Sequence, residues 1–425
     1  MVGLLSLAHL MAFVDRFAMS AVSGPLKATF RLSETELGAL QGLAFAIPYA
    51  VTVTLFGRLA DRIGPRPMIV GGLLVWTAGA MACGFAQASF HLWFARMVMG
   101  VGQAAFIPAA LGLLGAAFDR STLSRPISVF TAGSTLGKSV ALLASGAILT
   151  FDLATPALHR VVGGGPWRMV FVVTALPNLL LLLTFLFVRL PDRQTTHESG
   201  VDETAKGRGL LDLAFLTYSF LALTPIILIQ ALAAWTPLFY GRYFHFPPAQ
   251  AAVLLGTVVL IAAPLGHLMG GQLTAMVLKR GVGPAVLVTA CLCLSIPLGL
   301  VFCFAPVSNL SLGAYSLLVI ALGVSAPAGL TGISLLAPPG RLGSFNAVYM
   351  GLATLVGVGL GPTLVGAMSD LLFGGAAGLR QSLCTLLLAV PVTGALLSLA
   401  CLGLWRRNGL ALSNGQADGA FGQHA

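Results

Sequence analysis

The sequence predicts an all-α membrane protein, with twelve transmembrane helices arranged as two pseudo-symmetric six-helix bundles. Three observations predict it. Of 425 residues, 57% are hydrophobic and only 8% charged, against about a quarter charged in an ordinary soluble domain. Apolar stretches recur along the chain, each long enough to cross a hydrocarbon slab of about 30 Å as roughly 20 residues of helix. An offset of 214 residues maps Gly42 onto Gly256, Gly57 onto Gly271, Leu59 onto Leu273 and Arg66 onto Arg280, the trace of an internal repeat. The 23 basic and 13 acidic residues cannot cover a soluble protein of this length, so a soluble enzyme is excluded.

Apolar runs broken by turn residues place helices near 3–24, 37–57, 67–86, 91–116, 127–150, 168–189, 213–236, 249–278, 284–303, 310–334, 344–371 and 381–404. Helices rather than strands follow from run length and from the need to satisfy every backbone group internally. The first run is too long for a signal peptide, contains Asp15-Arg16 and lacks a basic leader, so it is expected to stay as the first span. Residues 189–212 carry nine charges and no apolar face, and read as a flexible linker. The expected division is therefore 1–188 as an N-terminal six-helix bundle, 189–212 as a cytoplasmic linker, 213–404 as a C-terminal six-helix bundle and 405–425 as a cytoplasmic tail.

Fourteen lysines and arginines fall on the side that includes Arg58, Arg62, Arg66, Lys279 and Arg280, and six on the other, among them Lys27, Arg168 and Arg242. The charge bias of membrane proteins then puts both termini in the cytoplasm of a multi-pass plasma-membrane protein, the inner membrane of a bacterium. The net charge of +10 reflects that bias, because the basic residues are scattered between spans; no nucleic acid partner is expected. Cys83, Cys291, Cys293, Cys303, Cys384 and Cys401 lie in apolar runs without metal-ligand spacing and read as small core residues. No cofactor or metal is expected.

Gly57-Arg58-Leu59-Ala60-Asp61-Arg62-Ile63-Gly64-Pro65-Arg66 stands between the second and third helices. It matches at every defined position the G-x-x-x-D-R-x-G-x-R/K loop of the major facilitator superfamily, which the chain resembles. The resemblance implies a conformational latch on the cytoplasmic face, built from Gly57, Asp61, Arg62, Gly64 and Arg66, in which the Asp61 carboxylate meets the positive end of a helix. The second half keeps Gly271, Leu273 and Arg280 but has Ala275 in place of the aspartate, so the latch is expected to be one-sided. Phe13-Val14-Asp15-Arg16, Leu32-Ser33-Glu34-Thr35-Glu36-Leu37-Gly38, Arg96 with Gly100-Val101-Gly102-Gln103, Gly165-Pro166-Trp167-Arg168, Trp235-Thr236-Pro237 and Gly359-Leu360-Gly361-Pro362 are similar to the bacterial spinster-like branch. That resemblance implies transport of lipid-like or other amphipathic molecules, driven in some members by protons. Gln103 departs from the branch, which usually has G-x-G-E, so the implied proton route lacks that acid.

Charges inside a bilayer cost about 2.5 kcal/mol or more each and default to function. Helix arithmetic puts Asp15, Arg16, Gln103 and Lys138 about 16–20 Å into the membrane and Arg96 about 8 Å in. One acid against Arg16, Arg96 and Lys138 leaves a formal +2. One reading pairs Asp15 with Arg16 or Arg96 as a structural tie while Lys138 reaches water. The other makes Asp15 an exchangeable proton carrier partnered by Arg96 or Arg16, in a site that takes an anion bound bidentately by Arg96. Offset by 214, Arg16 falls on Gln230, so the second half should offer a neutral polar wall in which Gln230, Trp235, Tyr218 and Tyr240 are candidates. His267 reads as a packing residue.

The function expected is that of a monomeric secondary transporter moving a small organic or lipid-like anion by alternating access, with protons as the candidate coupling ion and membrane lipid as its surroundings. A membrane ligand sensor or a polytopic membrane enzyme without transport stays open as the alternative. The chain has no H-E-x-x-H, paired-aspartate or phosphate-binding P-loop pattern that would favour an enzyme or an ATP-driven pump.

Overall fold

The computed structural model describes residues 1–118, 124–154, 165–188, 212–337 and 342–407. The expected linker up to residue 211 and the tail from residue 408 lie outside the described residues. The described residues are helical, and none of them forms a strand. Twelve helices are long and apolar enough to span a membrane: Val2–Ala21, Glu34–Val53, Pro65–Gly84, Ser89–Gly115, Arg125–Phe151, Trp167–Phe187, Leu213–Tyr243, Pro248–Lys279, Ala285–Phe304, Ser308–Leu336, Val348–Leu372 and Gly375–Cys401. Large apolar side chains stand outward on them, Phe187 at 82% and Leu180 at 68% exposure, as hydrocarbon-facing residues do.

Three helix boundaries differ from those the apolar runs suggest, and each has a local cause. The second span starts at Glu34 because Ser33 and Glu36 form a capping box, with Ser33 Oγ accepting from the Glu36 amide at 3.0 Å and Glu36 Oε2 from the Ser33 amide at 2.8 Å. Its helix also runs on through Ile63, so most of the expected second–third loop is helix. Gly57 does not interrupt it. The break falls at Gly64, whose φ of 88° suits glycine, followed by Pro65 at the first helical position of the third span. The seventh span begins under the Asp212 carboxylate, which accepts from the Ala214 amide at 2.8 Å, and reaches Tyr243 instead of ending near 236.

Two interruptions inside spans shape the interior. At Gly42 the helix Glu34–Gln41 gives way to Leu43–Ile63. In the eleventh span a π-helical stretch, Ala353–Leu360, separates Leu342–Leu352 from Gly361–Leu372.

Small residues let the helices approach closely. A Cβ added at Gly133 or Gly137 of the fifth span would come within 2.6 Å of the Ser6 or Leu10 carbonyl oxygen of the first. The repeat-related pair Gly42 and Gly256 both serve such approaches, Gly42 against the Gly359 carbonyl of the eleventh span and Gly256 against Leu143 of the fifth. Five cysteines are buried as expected, whereas Cys293 is exposed.

The chain divides into two compact units. One comprises Met1–His197, Ala231–Leu260 and Val358–Ser382; the other comprises Glu198–Gln230, Ile261–Gly357 and Leu383–Ala425. In the first unit Trp76, Phe106, Phe130, Phe171 and Phe185 are fully buried. In the second, Tyr218 donates to the Ala328 carbonyl at 2.8 Å and Phe215 packs edge-on against Phe345.

Candidate functional site

The first span carries Asp15 and Arg16 as neighbours, and a helix turns about 100° between neighbours. They therefore face different helices. Asp15, 2% exposed, meets the third and sixth spans: its Oδ2 accepts from Trp76 Nε1 at 3.1 Å and from Asn178 Nδ2 at 2.6 Å. Its Oδ1 and the Asn178 Oδ1 have no hydrogen-bond partner. Among the described residues no ion pair joins Asp15 to Arg16 or Arg96, so the direct carboxylate–arginine pairing that one of the two readings gave these charges is not present. The helix turn is the reason for Arg16.

Arg16 faces the second and fourth spans. Its Nη2 donates to Gln103 Oε1 at 2.8 Å, while Gln103 Nε2 donates to the Ala12 carbonyl at 2.9 Å. Arginine only donates, so it fixes which way the Gln103 amide points. The guanidinium lies 4.1 Å from the Phe45 ring centroid, 4.7 Å from Phe13 and 6.0 Å from Tyr49, an aromatic wall for a cation. Its Nε has no hydrogen-bond partner. Lys138, half-buried on the fifth span, places its Nζ 5.3 Å from the Phe17 ring one turn along the first span.

Arg96 does something the sequence did not suggest. It is 1% exposed, and all three guanidinium nitrogens donate to backbone carbonyls: Nε to Leu40 at 3.1 Å, Nη1 to Arg16 at 3.2 Å and Nη2 to Gln41 at 3.0 Å. The break at Gly42 ends a helix at Gln41 inside the protein, leaving carbonyls with no partner in the following turn. Arg96 caps that buried helix end and ties it to the first span. Its three guanidinium nitrogens are thus committed to backbone, whereas Arg16 keeps an Nε without a hydrogen-bond partner.

Gln230 is buried in the other unit. Trp235 is fully buried, its Nε1 donating to the Pro362 carbonyl at 2.9 Å, and shares no hydrogen bond with the Arg16 cluster. His267 is exposed on the helix surface beside its own Ala263 carbonyl at 2.8 Å, not packed in a core. Of the latch residues, the Asp61 side chain lies outside the described residues. Gly57 has nothing within 4 Å of where a Cβ would stand, Gly64 forms the turn, Arg62 is exposed, and Arg66 Nη2 donates to the Leu186 carbonyl at the end of the sixth span.

Sequence reasoning missed Trp76, Asn178, Phe45 and Tyr49. Asn178 had a signal, being a lone amide in the apolar run Leu176–Leu183. Trp76, Phe45 and Tyr49 look like ordinary apolar filling until the fold brings them to the first span.

Twelve helices long and apolar enough to cross a membrane, with a cluster of buried ionisable side chains in the first unit, have the build of a secondary transporter. The chain matches the sequence profile of the Major Facilitator Superfamily over residues 5–362 and belongs to that superfamily. It is 27% identical over 416 residues, 96% of its own length and 93% of the other's, to an MFS-type efflux pump of Mycolicibacterium smegmatis. It is 22% identical to a sphingosine-1-phosphate transporter of Xenopus tropicalis over 64% of this chain and 54% of that protein. In fold it resembles a bacterial homolog of the human lysosomal transporter Spinster, in an inward-facing and occupied conformation, with a TM-score of 0.83 over 94% of this chain and 96% of that one at 22% identity. The relatives are transporters and not enzymes.

Proposed function

We propose that the protein is a monomeric secondary active transporter that moves a small organic or amphipathic anion by alternating access between its two six-helix halves. It would sit in a bacterial inner membrane with both termini in the cytoplasm, as the fourteen-to-six charge bias supports. The observation that carries the reading is the Arg16 guanidinium, buried at mid-helix with an Nε that no protein group satisfies and three aromatic rings around it. A carboxylate, sulfonate or phosphate would neutralise it, and the rings would cover an apolar body. Asp15, held by Trp76 and Asn178, is the candidate proton carrier.

The test is flux into proteoliposomes of carboxylates, sulfonates and lysophospholipids, each beside a neutral analogue, with and without a pH gradient. Saturable flux of an anion with little flux of its analogue is expected. Equal flux of charged and neutral members would overturn the anion assignment. Gln103→Glu should pair a carboxylate with Arg16 across the present 2.8 Å contact. Anion affinity should then fall and vary more with pH; identical affinity profiles from wild type and variant would count against Gln103 facing the substrate. Asp61→Asn should leave the protein folded and inserted but slow turnover, and unchanged transport at equal expression would remove the latch role.

A further inference from the structure

We propose that Cys303 and Cys384 are a disulfide-forming pair that staples the ninth span to the twelfth at the extracytoplasmic rim of the membrane. The face rests on the orientation proposed above; the pairing itself does not.

The pairing starts from register. Leu292 Cδ1 of the ninth span lies 2.5 Å from where a Cβ at Gly394 of the twelfth would stand. Further along, a Cβ at Gly299 would stand 3.0 Å from Leu387 Cβ. Seven residues forward on one helix therefore match seven residues back on the other, so the two run antiparallel. The next contact on this stripe, four residues past Gly299 and three before Leu387, is Cys303 with Cys384, whose thiols are hydrogen-bonded to each other. Residues three or four apart share a helix face, which keeps both sulfurs on the contact stripe.

The same register excludes the other cysteines of these spans. It sets Cys291 and Cys293 opposite Ala395 and Thr393, and Cys401 opposite Ala285. Bridged cysteines need Cβ atoms about 3.5–4.5 Å apart. Gly299 and Gly394, one from each helix, let the backbones approach that closely a turn or more from the thiols. Alanine would fill the same space as a cysteine there; what two sulfurs add is the ability to bond to each other.

Position supplies the chemistry. Cys303 is one residue from the end of its helix, and Cys384 five residues, roughly 7.5 Å, from the start of its own. In the proposed orientation that rim faces the extracytoplasmic space, where disulfides form and persist. Cys384 is 8% exposed and Cys303 1%, so Cys384 meets the oxidant first. Its thiol gives up a proton and the thiolate attacks one sulfur of a disulfide-carrying oxidant, forming a mixed disulfide and expelling one oxidant thiol. Cys303, losing its own proton, then attacks Cys384 Sγ and expels the second oxidant thiol. The pair loses two electrons and two protons, and the oxidant disulfide gains them as two thiols. Both cysteines belong to the second compact unit. The bond closes a loop of about 80 residues and restricts the unfolded chain accordingly.

The test uses the full-length protein in lipid nanodiscs, treated with diamide, a diazene that takes up the two electrons and two protons, then denatured and alkylated with a maleimide. Wild type should lose two of its six alkylations, regain them after dithiothreitol, and yield one linked peptide pair containing Cys303 and Cys384. Its unfolding temperature should rise by about 5 °C on oxidation. Cys303→Ser and Cys384→Ser should show neither change. Full alkylation after diamide, or linked peptides joining other cysteines, would overturn the pairing; linked peptides without a rise in unfolding temperature would overturn the staple. Asn309→Cys, at an exposed position just past the ninth span, reports the face separately through a membrane-impermeant maleimide added to intact cells. Labelling is expected, together with a Cys303–Cys384 disulfide in wild type trapped by acid from those cells. Labelling with both thiols still reduced would overturn formation in the cell. No labelling would overturn the orientation alone, and the diamide result would still decide the pairing.

Discussion

Arg96→Ala is expected to destabilise the protein by about 3–5 kcal/mol, since each buried acceptor left unsatisfied costs about 1–3 kcal/mol and a cavity is added. The substitution strips three donors from the carbonyls of Leu40, Gln41 and Arg16, of which the first two stand at a helix end. It also empties the volume of a large side chain that is 1% exposed. Arg96→Lys keeps the charge but offers a single point of donation, which cannot serve three carbonyls fixed in different directions. It should therefore recover only part of the loss. Thermal unfolding in detergent should rank wild type above Arg96→Lys and Arg96→Ala, with the alanine variant poorly expressed. Should Arg96→Ala unfold at the wild-type temperature and lose only substrate affinity, Arg96 belongs to the binding site and the capping account fails. Arg96→Met separates the two losses, because it restores volume without donors.

The fold was legible because composition and run length are strong constraints in a membrane, where every backbone group has to be satisfied within a helix. The boundaries were less legible. Gly57 looks like a turn and is helical, while Gly64-Pro65 seven residues on makes the real break, since only there does the backbone need a positive φ. Ser33 and Glu36 form the capping box that starts the second span before its apolar run does, a signal the reading of apolar runs passed over.

The buried charges were found by residue type, but their roles were not readable, because partners come from other spans. Asp15 and Arg16 are adjacent in sequence and were natural partners on paper. The helix turn sends one towards Trp76 and Asn178 and the other towards Gln103 and Phe45. Arg96 was legible as important and illegible as a cap, since nothing in the sequence shows that a helix ends at Gln41 inside the protein. Gln103 reads as the loss of an acid in the sequence and in space as the one side chain, among the described residues, hydrogen-bonded to the Arg16 guanidinium.

Arg16→Ala is expected to lower affinity for the transported anion by about tenfold to a hundredfold, the worth of a charge-assisted hydrogen bond away from bulk water. The reasoning begins with which cation can reach a ligand. Arg96 has spent its donors on backbone, and Lys138 is a point charge over Phe17, which stacks on the Phe13 ring beside Arg16, without the planar fork of an arginine. Arg16 alone combines a hydrogen bond to a neutral amide, an Nε without a protein partner and an aromatic surround. Arg16→Lys should fall between wild type and alanine, because it keeps the charge and loses both the planar fork and the fit against Phe45. Phe45→Leu should cost less, about 0.5–2 kcal/mol, as the loss of one cation–π contact. The discriminating readout is charge selectivity. Arg16→Ala should lose the anion while its neutral analogue binds as before, because the aromatic wall that covers the apolar body is untouched. Equal losses for the charged and neutral ligands would mean that Arg16 supports the architecture and not the ligand, and the site of charge recognition would have to lie elsewhere.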